Sequence, residues 1–238
     1  MLINFWKNIR RVVNNIDNKY ELIPSDKEGL YRVKALKDFN NVKKGDIGGY
    51  IQTEKNLSQY DDCWIYDNAV VMGDAVVMGD AKVYCDAQIC DNAVVMGDAR
   101  VYSNAIVMGN AKVCDHASVY GNAQVCGNAR IWGYVVIQGN AVVRGNAIVQ
   151  GNADVSGDAI ISSDKDYIVF KNWWSSGRYF TWTRSNNMWK VGCFYGSGEE
   201  LIAKAYKDSE ESGREYEHIV KYVERILNTE ECKTNKYI

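Results

Sequence analysis

Acid–base chemistry in this sequence has two histidines to draw on, His116 and His218. A zinc centre of the three-histidine kind needs one more, so no metal site is expected, and nothing in the pattern calls for a cofactor. His116 stands as the one catalytic candidate, as a general base. It occupies a slot of a repeated block that normally holds Asn or Asp. Histidine tolerates left-handed backbone, so a plain role in a bend is the simpler expectation. The seven cysteines contain no CxxC pair. They read as small apolar filler in a reducing compartment. The densest group of recognition-type side chains lies near the C-terminus. Trp173, Trp174, Tyr179, Phe180, Trp182, Trp189, Phe194 and Tyr195 surround the loop Ser175-Ser176-Gly177-Arg178. Arg178 with Tyr179, Trp182 and Trp189 could hold a phosphate or stack on a base. The competing expectation is that the aromatic residues simply fill a small core.

The element that must position these groups announces itself as a repeat. From Asp67 to Ser162, sixteen blocks of six residues follow the consensus G-[ND]-A-x-[VI]-x, and Asp61–Tyr66 adds a degenerate block before them. Ala and Val/Ile stand two residues apart, so they share one face of a short strand, and that face is the interior. The first two slots suit a sharp corner. The fourth and sixth slots point outward. Tyr66, Tyr84, Tyr102 and Tyr120 fill the sixth slot every 18 residues, which implies three six-residue rungs per coil. The prediction is a mainly β protein with a parallel β-helix at its centre, about five and a half coils tall, or roughly 25 Å. Cys90 and Cys126 would then sit about 10 Å apart on one ladder, too far for a disulfide.

This run of blocks resembles the hexapeptide-repeat family of left-handed β-helices, and the resemblance implies left-handed winding. It also implies one activity and one assembly habit to weigh. Acyltransferases of this type use a histidine base and often a loop extruded from a coil, and the blocks here run without insertion. Oligomers, trimers above all, are common on this fold.

The flanks complete three units: 1–60, 61–162 and 163–238. Leu2, Ile3, Phe5, Trp6, Ile9, Val12, Val13 and Ile16 have the spacing of an amphipathic helix. Tyr20–Ile23 and Leu30–Leu36 suit strands, and Gly45–Gly49 suits a turn that leads into the first coil. Together they would cap the open end of the solenoid. After Ser162, strands are expected at Tyr167–Lys171, Tyr179–Arg184 and Met188–Phe194. Ser197-Gly-Glu-Glu200 and Ser212-Gly-Arg-Glu215 are expected to open two helices, giving a small α+β domain. The stretches LYRVKALKDFNNVKKGDIGGYI and GCFYGSGEEL resemble hypothetical proteins of phages and prophages of low-GC bacteria.

Composition narrows the partners. The net charge of −2 offers no basic surface for nucleic acid. No 18-residue apolar run exists, and the N-terminus lacks the order of a secretory signal, so a cytoplasmic protein is expected. Residues 67–162 hold nine Asp and no Glu against five Lys and Arg, a net of −4, too weak for a nucleic-acid mimic, and no threonine ladder of the ice-binding kind. Met72, Met78, Met96, Tyr102, Met108 and Trp132 face outward in the first four coils, and Gln138, Arg144, Gln150, Ser156 and Ser162 follow. Stacked apolar columns call for a cover, so these six residues are assigned to an oligomer interface, a trimer by preference, with the N-terminal helix as an alternative cover for one column. The expected function is a non-enzymatic oligomeric binding protein. With the phage resemblance, its target would be a host protein or a small nucleotide signal, as in counter-defence. A CoA-dependent acyltransferase and a structural assembly protein are the alternatives.

Overall fold

A computed structural model describes residues 18–234, and side chains as far as 229. The amphipathic helix expected over 2–16 lies outside the described residues. The architecture is a parallel β-solenoid of about six turns, with an antiparallel sheet and two helices near the C-terminus. Seventeen two-residue strands, from β4 (Trp64–Ile65) to β20 (Ile160–Ile161), recur every six residues and pair in parallel with the strand 18 residues on. Three faces result. Face 1 carries Val71 to Ile161, face 2 Val77 to Val149, and face 3 Ile65 to Val155. The third- and fifth-slot residues are fully buried, as the spacing predicts. Ala and Val together fill a narrow prism and leave no room for a ligand inside it.

The corners differ from expectation in one respect. The left-handed residue is the first slot, and not the second. Asp67, Cys85, Asp91, Ser103 and Asp115 have φ between 51° and 60°, and glycines take the same slot elsewhere. His116 therefore adopts no left-handed backbone; Asp115 before it bends instead. Aspartate suits that slot because its carboxylate accepts an N–H from the next coil, as Asp91 Oδ2 does from Gly109 at 2.9 Å and Asp115 Oδ2 from Gly133 at 3.0 Å.

Every coil donates its N–H groups towards the C-terminal end and offers its C=O groups towards the N-terminal end: Val70 N donates to Ala87 O, and Val136 N to Ala153 O. The first coil therefore has orphaned acceptors and the last coil orphaned donors, and each end must be covered by the opposite chemistry. The N-terminal cap is a meander of β1 (Tyr20–Pro24), β2 (Tyr31–Ala35) and β3 (Ile47–Ile51), and β3 joins face 1 in parallel. It supplies donors. The buried Lys19 ammonium reaches the carbonyls of Asp61 and Cys63, Asn56 Nδ2 those of Gly73 and Ala75, and Tyr20 Oη those of Glu54 and Leu57. Gly48 and Gly49, expected in a turn, lie within β3. A Cβ on Gly48 would stand 2.4 Å from Ile65 O, and one on Gly49 2.4 Å from Ile65 Cγ2, so only glycine lets this strand approach the first coil.

The C-terminal cap supplies acceptors. Tyr167 Oη accepts from Gln150 N, Thr181 Oγ1 from Asp154 N, Ser185 Oγ from Ile160 N, and Asp166 Oδ2 from Ser162 N. Its sheet has four strands: β21 (Tyr167–Lys171), β22 (Tyr179–Thr183), β23 (Met188–Val191) and β24 (Phe194–Gly196). The single strand expected over Met188–Phe194 is split by a turn at Gly192, whose φ of 55° ends β23. Two helices follow, α1 (Gly198–Asp208) and α2 (Glu210–Thr234). The capping box at Ser197 and Glu200 opens α1 as the motif predicts. The one expected at Ser212 does not open α2. The helix starts three residues earlier, at Glu210, with Ser209 Oγ accepting from Ser212 N at 3.1 Å. Gly213 falls inside the first turns of α2, where a Cβ would meet the Tyr206 ring at 2.2 Å, so the two helices pack tightly at their junction.

Candidate functional site

The C-terminal sheet uses one face for capping, through Thr181. Its other face, with Phe180, Trp182 and Trp189, packs on Leu201, Ala205, Val220 and Val223 of the helices. Between the β21–β22 loop, the Gly192 turn and the α1–α2 junction lies a cavity of about 490 Å³. Arg178 and Lys204 bring positive charge to its wall. Ser175, Ser176, Ser209 and Ser212 bring hydroxyls, and Phe194, Leu201 and Tyr216 bring an apolar floor. Asp208 is its carboxylate.

Asn172 builds the loop that carries Arg178. It is 4% exposed, donates its main-chain N–H to Arg178 O at 2.8 Å and its amide to Tyr216 Oη at 3.1 Å, and accepts from Ser175 N at 2.9 Å. Gly177, at φ 67°, turns the chain back towards β22. The Arg178 guanidinium lies over the Gly192 turn, where an added Cβ would stand 3.3 Å from Nη1. Burial pushes the Tyr216 phenol above its ordinary range, against a lowering by the Asn172 hydrogen bond; Asp208 raises it further and Arg178 lowers it. A guanidinium, an ammonium and serine hydroxyls beside an apolar floor can hold an anion whose body is apolar or aromatic.

Of the four residues assigned to ligand binding from sequence, Arg178 lines this cavity. Trp182 and Trp189 pair across β22 and β23 in the core, with Trp182 Nε1 donating to Asn187. Tyr179 is 44% exposed, with the Lys171 ammonium 5.6 Å from its ring centre, away from the cavity lining. Lys204, Ser209 and Ser212 escaped the sequence reading, because they meet Arg178 only through the packing of α1 and α2.

On the solenoid, His116 is exposed at the corner before face 3. Its Nδ1 lies 3.1 Å from Asp98 Oδ2, and its ring stacks on Tyr134 at 4.7 Å. No loop leaves the coils between Asp67 and Ser162. The six residues assigned to an oligomer interface fall in three separate columns. Met72 and Met108 follow face 1; Met78, Met96 and Trp132 follow face 2; Tyr102 belongs to face 3. All are partly buried by their stacked neighbours, and Tyr102 stacks between Tyr84 and Tyr120 at 5.1 and 4.7 Å. Among the described residues no three His, Cys, Asp or Glu side chains converge as a metal set, no disulfide joins the cysteines, and no helix is long and apolar enough to cross a membrane.

A family model for the YdcK beta solenoid repeat matches residues 87–103 and 123–139. Each match covers one coil, and the two start two coils apart in the same register, so the likeness is to the repeat and stops short of either cap. No curated protein sequence matches the chain.

Proposed function

We propose that this is a non-enzymatic binding protein, in which the solenoid is a rigid oligomeric scaffold and the C-terminal domain takes a small anionic ligand. The cavity at Arg178 carries this reading: it gathers two cations and several hydroxyls over an apolar floor. A nucleotide signal suits that chemistry, with phosphate at Arg178 and Lys204 and the base against Phe194 and Tyr216. The phage-like flanks support a counter-defence role in a bacterial cytoplasm, by capture of such a signal or of a host protein. The uninterrupted coils support placing the solenoid with the hexapeptide-repeat proteins, and the apolar column of Met72 and Met108 supports self-association, with a trimer as the expected form. A thermal-shift panel of cyclic nucleotides, nucleoside phosphates and acyl-CoAs tests the reading. The expected result is stabilisation by a nucleotide in the wild type and none in Arg178→Ala. Equal shifts in both proteins, or a shift with none of the panel, would overturn it.

A further inference from the structure

The inward third slots from Cys63 to Ala159 hold alanine in every block but two: Val135 stands in one and Cys63 in the first. The fifth slots are all Val or Ile. Cys63 is thus the one nucleophile in the inward slots, at a position that alanine fills elsewhere. It is fully buried, and a buried amine meets it there. Lys19 Nζ stands 3.4 Å from Cys63 Sγ, 2.9 Å from Cys63 O and 2.5 Å from Asp61 O, with the centre of the Phe39 ring 5.2 Å away. The two carbonyls take two of the nitrogen's protons, and its remaining position faces the sulfur. As an ammonium, Lys19 donates to Sγ there; as an amine, it turns its lone pair to it. Sγ has acceptors of its own in Val77 O at 3.6 Å and Ser58 O at 3.8 Å. Burial draws the Lys19 ammonium below its ordinary range, against a raising by Cys63, Asp61 and Asp62, and pushes the Cys63 thiol up, against a lowering by Lys19. Both shifts favour the uncharged pair, a free amine beside a thiol. Closing the end of the solenoid uses the two carbonyl bonds and makes no use of the sulfur.

We propose that Lys19 and Cys63 form a modification site, where hydrogen peroxide joins Nζ to Sγ as a sulfenamide and so locks the N-terminal cap to the first coil. Lys19 has a role in each of two steps. In the first, it takes the thiol proton as Sγ attacks a peroxide oxygen. The S–O bond forms, the O–O bond breaks, and the hydroxide that departs leaves as water with that proton, giving a sulfenic acid and the free amine. In the second, the amine attacks the sulfenyl sulfur. The N–S bond forms, the S–O bond breaks, and a second water carries off the hydroxyl and one amine proton. One peroxide is consumed, the sulfur is oxidised by two electrons, and the protein loses two hydrogens. The oxidant is small and neutral, and Cys63 directly follows the exposed run Tyr60–Asp62, whose local opening admits it. The cross-link spans 44 residues of chain, so it restricts the unfolded state as a disulfide of that loop length would. Thiols reverse it by reducing the N–S bond.

Peroxide treatment of the full chain, with free thiols then blocked by an alkylating agent and the protein mapped by peptide mass spectrometry, tests this. The wild type is expected to yield a peptide pair joined through Lys19 and Cys63, about 2 Da lighter than the sum of the two, which dithiothreitol separates. The treated protein should melt roughly 5–10 °C higher than the reduced one. Cys63→Ala restores the residue that the repeat uses and keeps the carbonyl bonds of Lys19; it should give neither the joined peptides nor the rise in melting temperature. Lys19→Arg keeps a cation in the cap but lacks the nucleophilic amine, so its Cys63 should pass on to the sulfinic acid. Recovery of wild-type Cys63 as free thiol, as sulfinic acid or in a disulfide, with Lys19 unmodified, would overturn the proposal. So would an equal rise in melting temperature in Cys63→Ala.

Discussion

At the N-terminal end of the solenoid, Lys19, Tyr20 and Asn56 bring donors to the carbonyls of the first turns; at the C-terminal end, Tyr167, Thr181, Ser185 and Asp166 bring acceptors to the last N–H groups. Both ends thus solve the problem that a parallel stack poses, with opposite chemistry. The N-terminal cap ends there: its meander is absorbed into face 1, and its key side chains are buried in the main core. The C-terminal segment goes further. One face of its sheet caps, while the other supports a second core, two helices and the cavity at Arg178. Capping needs none of that second layer. The contrast teaches where to look for function in a repeat protein: the interior is spoken for, and recognition collects where a segment carries more structure than closure demands.

The comparison can be broken most severely from the middle. Val101 is fully buried on face 3, and Val101→Asp puts an unpaired carboxylate inside the prism at a cost of several kcal/mol. Cooperative unfolding by circular dichroism should disappear or fall by tens of degrees, with both ends lost together. A wild-type melt would show that the interior assignment is wrong.

Next in size are the caps themselves. Lys19→Met leaves the carbonyls of Asp61 and Cys63 without their donor, at a cost of about 2–4 kcal/mol. Thr181→Val orphans the single N–H of Asp154, at about 1–2 kcal/mol. Hydrogen exchange should then rise in the first coil for the lysine variant and in the last coil for the threonine variant. Exchange that rises equally along the whole solenoid in either variant would contradict local capping.

Alkaline pH sharpens the contrast within the C-terminal domain. Burial raises the Tyr216 phenol above its ordinary value near 10, so its contribution to folding is complete below pH 10 and is lost as pH climbs towards the raised value. Tyr216→Phe should remove that part of the alkaline loss from α1 and α2, read by hydrogen exchange. No difference between the two proteins above pH 10 would sink the claim. Smallest in stability is Met108→Glu on face 1. It should leave the melt within about 0.5 kcal/mol but dissociate the oligomer to the 26.9 kDa chain in light scattering. A wild type that already scatters as 26.9 kDa would remove the oligomer from the account.

The solenoid was legible in the sequence because its physics is local and periodic: each Ala–x–Val block states its own inward face, and the tyrosine column states the coil. Gly48 and Gly49 misled because glycine marks both turns and close approaches, and only the packed Ile65 distinguishes the two. The left-handed residue was placed one position late at His116, since both slots of the corner admit polar residues and φ alone separates them. The column of Asp62, Asp80 and Asp98 could have been found by reading the second slot at intervals of 18. The cavity could not. Arg178 stood out beside its aromatic neighbours, but Lys204 and Ser212 join it through a helical hairpin whose start the Ser212 motif misplaced. Trp182 and Trp189 look alike in sequence whether they face a ligand or a core, and the helices decide for the core.

The central claim is that ligand recognition belongs to the C-terminal layer and not to the repeat. Isothermal titration with the nucleotide that gives the largest thermal shift, on the wild type, Arg178→Ala and His116→Ala, tests it most directly. The account predicts that Arg178→Ala weakens binding at least about a hundredfold, the loss of a charge-assisted pair worth roughly 3 kcal/mol, while His116→Ala leaves it unchanged. Binding that survives in Arg178→Ala and disappears in His116→Ala would place the site on the solenoid and contradict the account.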